Sequence, residues 1–204
     1  MAEQRRFSVK VPESLLAGVH ANHAVVRHTR EEFVIDFVNR FPPGAVVTAR
    51  VIVSPGHLKR MIGAIGENLS RYERSHGAVR ARVPREATRP PGGPAPDAAP
   101  DAVTGVAAAA AGKVETGALP AKVPDRVLPG AYANQMVVSH STDEFLMDFM
   151  NIFPPEGVVT ARVFLSPGQL LRTLGALRRN LARYEKKHGA VVEATVPRPD
   201  TYLN

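Results

Sequence analysis

The sequence predicts an α+β protein of two repeats, each a small antiparallel sheet with one long amphipathic helix packed across it, the two forming an intramolecular pseudo-dimer. The first observation behind this is a self-match. Shifting the 204-residue chain by 112 positions lays "VIDFVNRFPPGAVVTARV" over "LMDFMNIFPPEGVVTARV" without a gap, and about 35 of about 60 aligned pairs are identical. The second is that each copy runs from β-prone stretches bounded by turn residues into one segment of helical apolar spacing. The third is the stretch between the copies, "REATRPPGGPAPDAAPDAVTGVAAAAAGKVETG", rich in Pro, Gly and Ala and without an aromatic residue. It cannot bury enough apolar surface to offset its ordering entropy and is expected to be a disordered tether. The boundaries follow: a first repeat at 1–85, a linker at 86–115 and a second repeat at 116–204. A coil of about 30 residues spans roughly 30 Å, enough for the copies to pack together.

Within the second copy, "NQMVVSHS" (Asn134 to Ser141) and "VVTARVFL" (Val158 to Leu165) have strand composition. The run "DEFLMDFMNIF" between them carries a helix-start signature, S-x-x-E from Ser141 to Glu144. Its first-copy twin is too rich in Phe, Val and Ile for a helix and ends at Pro42-Pro43, so a strand is expected in both copies. Next, "SPGQLLRTLGALRRNLARYEKKHG" starts with Ser166 as cap and Pro167 at the first helical position, and Gly189 stops it. Leu170, Leu174, Leu177, Leu181 and Tyr184 recur at three- and four-residue intervals, as do Leu58, Ile62, Ile65, Leu69 and Tyr72 in the first copy. Short final strands are expected at "AVRARV" and "AVVEATV", and one more at "RFSVKV" near the start of the first copy. A unit of roughly 75 residues has a thin core, which favours association of the two copies.

The net charge is +7, but residues 1–85 hold an excess of seven basic residues, the linker is net acidic by two, and the second repeat is net basic by only two. With no cysteine there is no disulfide or thiolate chemistry, and the first residues contain no apolar signal core. A cytoplasmic location is the default expectation, with no membrane span.

The carboxylates Glu144 and Asp148, four residues apart, suggest general acid–base chemistry, as do their counterparts in "EEFVIDF". The competing reading pairs Asp148 with Arg162 and Asp36 with Arg50 as cross-strand ion pairs, and each copy keeps both members. The structural reading is preferred because no nucleophile converges on the acids. The neighbours His140 and Ser141, like His28 and Thr29, point to opposite faces of a strand, and their hydroxyls suit a turn. Of His20, His23 and His28, only the last recurs in the second copy, which argues against a metal cluster. No catalytic, metal or cofactor residue is therefore assigned. Off the apolar stripes lie Lys59, Arg60, Arg71 and Arg74, then Arg172, Arg178, Arg179, Arg183, Lys186 and Lys187. With Arg80 and Arg82 of the last strand, the cations of the second helix are candidate contacts for an anion or nucleic acid.

The motifs "YAN", "HSTDEF", "DF", "RVFLSP" and "NLARYE" together resemble an uncharacterised bacterial family known only as a domain of unknown function, about one unit long. The resemblance covers both units and not the linker. The first copy departs from it with His20 in place of Tyr132 and Thr29 in place of Ser141. It implies the fold unit and brings no catalytic residue, cofactor or substrate. A weaker likeness, that of a sheet followed by a long helix in a small oligomeric protein, is to the export chaperone SecB. The expectation is a non-enzymatic interaction or scaffold protein with an unidentified protein partner, repeats that bind each other and no membrane association. The alternatives are a nucleic-acid-binding protein and an oligomeric, chaperone-like polypeptide binder.

Overall fold

The computed structural model describes residues 8–41, 44–80, 113–115, 120–153 and 156–195. In the first repeat β1 (Ser8–Lys10), a 3-10 turn (Glu13–Leu15) and β2 (Val19–His20) lead into β3 (His23–His28), β4 (Phe33–Phe41), β5 (Gly44–Val53) and α1 (Pro55–His76). In the second, β6 (Lys113–Glu115), β7 (Pro120–Lys122) and β8 (Ala131–Tyr132) precede β9 (Gln135–His140), β10 (Phe145–Phe153), β11 (Glu156–Leu165) and α2 (Pro167–His188). The ambiguous run is thus a strand in both copies. Each helix starts at a serine whose hydroxyl accepts an amide three residues on, has a proline at its first position, and ends at a positive-φ glycine.

β3–β4–β5 and β9–β10–β11 are antiparallel meanders, each internal to one repeat. The sheets are nevertheless mixed rather than purely antiparallel, because each repeat's N-terminal arm is laid on the other repeat. β1 and β2 of the first repeat pair in parallel with β11, and β7 and β8 of the second pair in parallel with β5. The strand expected at "RFSVKV" exists at Ser8–Lys10, but it belongs to the second repeat's sheet. β6 pairs with β7, so Lys113–Glu115, placed in the linker by composition, joins the first repeat's sheet. The rest of the stretch read as linker lies outside the described residues.

The exchange happens at "AN". The Ala21 amide donates to the Phe164 carbonyl on one sheet, and the next amide, Asn22, donates to Val38 on the other. Ala133 and Asn134 repeat this with Ile52 and Met150. Both alanines are fully buried where the chain passes between the sheets, a close-packed position that suits a small side chain. The Asn22 side chain accepts the Arg40 amide and donates to the Arg40 carbonyl, and Asn134 does the same to Ile152, so each asparagine supplies the ladder bonds a missing residue would have made. Just before each crossing, Gly18 and Gly130 sit at φ +62° and +76°, against Phe164 and Ile52, where a Cβ would meet ring or methyl atoms under 3 Å away.

A register shift after Phe37 and after Phe149 leaves Thr48 and Thr160 without a cross-strand partner. Their hydroxyls donate instead to Phe37 and Phe149 carbonyls and to the crossing arms at His20 and Tyr132. The inner faces of both sheets and the apolar stripes of both helices form one continuous core, with Phe37 and Phe149 in ring contact at 5.5 Å. The repeats are therefore two halves of one core, a pseudo-dimer in which neither half closes alone. The outer face of the first sheet makes a second cluster, in which Val38 and Val47 are covered by Ala121, Val123 and Val127 of the second repeat's arm.

The final strands are corrected. Residues 190–195 form no strand: they run past the start of α1, where the Ala194 amide donates to the Gly56 carbonyl. Three of their carbonyls are taken by side chains of that helix, Lys59 on Val191 and Arg60 on Ala194 and Thr195. In the first copy residues 78–80 form no strand and the remainder lies outside the described residues.

Candidate functional site

Two duplicated constellations and one divergent one make up the candidate sites. The first holds the acids. Asp36 is fully buried on the outer face and lies opposite Arg50, whose Nε and Nη2 donate to its two oxygens at 2.6 and 3.1 Å. Arg27, from β3, adds a third contact to the same carboxylate. Arg162 likewise grips Asp148 with two bonds, at 2.7 and 2.8 Å, and this pair raises the pKa of the guanidinium. Each arginine also donates to the other repeat's arm, Arg50 to Leu128 and Arg162 to Leu16. The pair thus reads across the ladder and ties down the exchanged arm. Glu144 lies outside the strand, exposed in a turn whose amides donate to the Ser141 hydroxyl. Thr29 makes the same turn with Glu31 and Glu32.

The second constellation was not anticipated from the sequence. Tyr72 donates to the Thr142 carbonyl and Tyr184 to the Arg30 carbonyl, each at 2.6 Å and each reaching into the other repeat. Around Tyr184 gather His188 of its own helix and His28 and Phe33 of the opposite repeat. Around Tyr72 gather His76, His140 and Phe145 in the same way. The histidine pairs, His28–His188 and His76–His140, stand 6.2 and 5.9 Å apart between ring centres. The available signal was that His28, Phe33, Tyr72 and His76 all recur in the second copy. What sequence could not supply is that they meet across repeats.

Burial lowers the His188 pKa, with Lys187, His28 and Arg30 adding repulsion against Glu31. Burial, then Arg40 and Arg172, lowers His23, and burial and then Arg60 lower His57. A histidine with a depressed folded pKa binds fewer protons folded than unfolded, so its contribution falls as pH drops through the unfolded value of 6.5. Thermal denaturation is therefore expected to give a constant midpoint above about pH 7 and a declining one below about pH 6.5. A midpoint rising on acidification over that range would contradict it.

The third constellation is the set of cations. Lys59 and Arg60, read as an exposed basic face, are instead engaged. Lys59 bonds Glu185 and the Val191 carbonyl, and Arg60 bonds four oxygens of the second repeat. Arg172 is partly buried and donates to Gln169. Arg178, Arg179, Arg183, Lys186 and Lys187 are exposed along α2. Arg80 is exposed at the end of a described segment, and Arg82 lies outside the described residues. Glu185, the single acid of α2, is held by the Val191 amide and Lys59, which together lower its pKa. Among the described residues no three His, Cys, Asp or Glu side chains are grouped to hold a metal, and no helix is long and apolar enough to cross a membrane.

These features define a tandem-duplicated α+β protein, arm-exchanged between its halves around a shared core. The chain belongs to the family described as protein of unknown function (DUF3467), which matches residues 1–81 and again 100–193. The second match reaches upstream of β6, consistent with that strand being part of the unit. No curated protein matches the chain.

Proposed function

We propose that this chain is a non-enzymatic, cytoplasmic protein-interaction scaffold, built as a two-fold frame that offers the same apolar contacts twice. The observation that carries this is the pair of aromatic tips. Phe41 and Phe153 occupy equivalent hairpin ends and remain 62% and 54% exposed, so each leaves apolar ring surface open at the end of a sheet. On the arms, Leu16 and Leu128 are also equivalent and exposed. The non-enzymatic part is supported by the use already made of the reactive side chains. Both aspartates are held by arginines, and the Thr29 and Ser141 hydroxyls are held in turns.

The test is affinity purification of the tagged full chain from nuclease-treated host extract, beside a Phe41→Ser/Phe153→Ser variant. A partner of defined stoichiometry is expected with the wild type and is expected to be lost from the variant while the variant keeps a cooperative melt. Recovery of the chain alone, or equal capture by both proteins, would count against the reading.

A further inference from the structure

The two helices descend from one sequence, and comparing them position by position separates what the core requires from what it does not. Facing the core, apolar residues stand at matching places: Leu58 and Leu170, Ile62 and Leu174, Ile65 and Leu177, Leu69 and Leu181, with Tyr72 and Tyr184 completing the stripe. Facing solvent, the copies have parted. Where α1 has Gly66, Glu67 and Ser75, α2 has Arg178, Arg179 and Lys187, and both keep a cation at Arg71 or Arg183 and at Arg74 or Lys186. The exposed face of α2 therefore carries five positive charges and no acid, while the same face of α1 has two cations beside Glu67, one of them, Arg71, within 3.8 Å of that carboxylate. The second repeat is net basic by only two, so this is a local concentration of charge.

At 100° per residue Arg179, Arg183, Lys186 and Lys187 fall within roughly a third of the circumference of the helix, opposite the buried stripe, over about 12 Å of axis, while Arg178 stands at the border of this face with its guanidinium against Gly66 of α1. Such a concentration of like charge costs self-repulsion, so a polyanion is the partner its charge complements. Glu185 does not neutralise it, being committed to Lys59 and the Val191 amide.

We propose that the exposed face of α2 binds the phosphate backbone of duplex DNA. A face this cationic, with no aromatic side chain among its exposed residues, has the means to contact phosphates and none to stack unpaired bases. The width of a helix, about 10–12 Å, suits the B-form major groove of about 12 Å between its bordering phosphates; the A-form groove of duplex RNA is too narrow. Binding is therefore indifferent to sequence and steep in salt. This is independent of the scaffold reading, which rests on the hairpin tips.

The experiment is a fluorescence-anisotropy titration of a labelled DNA duplex of about 20 base pairs with the full chain, at several salt concentrations. About four phosphate contacts predict a roughly hundredfold loss of affinity from about 50 to about 200 mM salt. In Arg179→Glu/Lys187→Ser, which installs residues the fold already accommodates on α1, affinity is expected to drop at least about tenfold, with a salt slope shallower by about two. Glu67→Arg on α1, the converse change, is expected to strengthen binding. The proposal is overturned by absence of binding at the lowest salt or by an Arg179→Glu/Lys187→Ser variant that binds as well as the wild type. Equal affinity for polyglutamate, duplex RNA or anionic vesicles would overturn it too.

Discussion

Residues 1–85, produced without the second repeat, are expected to fail as a folded monomer and to regain a cooperative structure on mixing with residues 86–204. The reason is geometric. The first repeat's sheet needs Ala121, Val123 and Val127 of the other arm to cover Val38 and Val47, and its Phe37 packs on Phe149. Left alone, that surface would be wet and the parallel edge of β5 unpaired. A tether holds the partner at an effective concentration in the millimolar range, so at micromolar protein its removal costs about 4 kcal/mol. Circular dichroism melts of the mixed halves should therefore shift with concentration, whereas the intact chain's should not. Each half alone at high concentration should pair with itself, because the arm of either repeat fits the slot of the other. A monomeric half with a cooperative melt at low concentration would refute the shared-core account.

Asp36→Asn is expected to destabilise the protein by about 3–5 kcal/mol, since it leaves Arg27 and Arg50 facing a buried site without their counter-charge. Asp148→Asn should cost less, about 1–2 kcal/mol, because Asp148 retains 17% exposure and has one arginine where Asp36 has two. Chemical denaturation of both variants measures the contrast directly. Equal losses would mean that burial and the second arginine contribute nothing. The ranking comes from β3, where Arg27 stands at the position occupied by Ser139 in β9.

Much of one repeat was legible in the chain itself. Capping serines, helix-starting prolines and terminal glycines are local signals, and α1 and α2 lie where those signals place them. The strand choice for "DEFLMDF" rested on composition, and the Asp–Arg pairs on the retention of both residues in each copy. The candidate cations were harder to read. Lys59 and Arg60 have the same helical phase as solvent-facing residues, yet α2, the second repeat's tail and β9 bring oxygens to them. The final strand expected in the second copy failed for the same reason, the Val191, Ala194 and Thr195 carbonyls being claimed by α1 from across the molecule.

By itself the sequence determined the two-copy organisation and, within each copy, the strands that precede the helix, the helix with its caps and the acid–arginine pair, which depend on residues within one unit. Only the tertiary structure decided that the arms are exchanged, that Tyr72 and Tyr184 hydrogen-bond the opposite repeat, and that one core serves both halves. The physical reason is the internal likeness of the repeats. An arm that fits its own sheet also fits the other copy's, since both present the same edge and the same apolar face. Which sheet it joins is settled by the crossing at Ala21–Asn22 and Ala133–Asn134, where successive amides bond to different repeats.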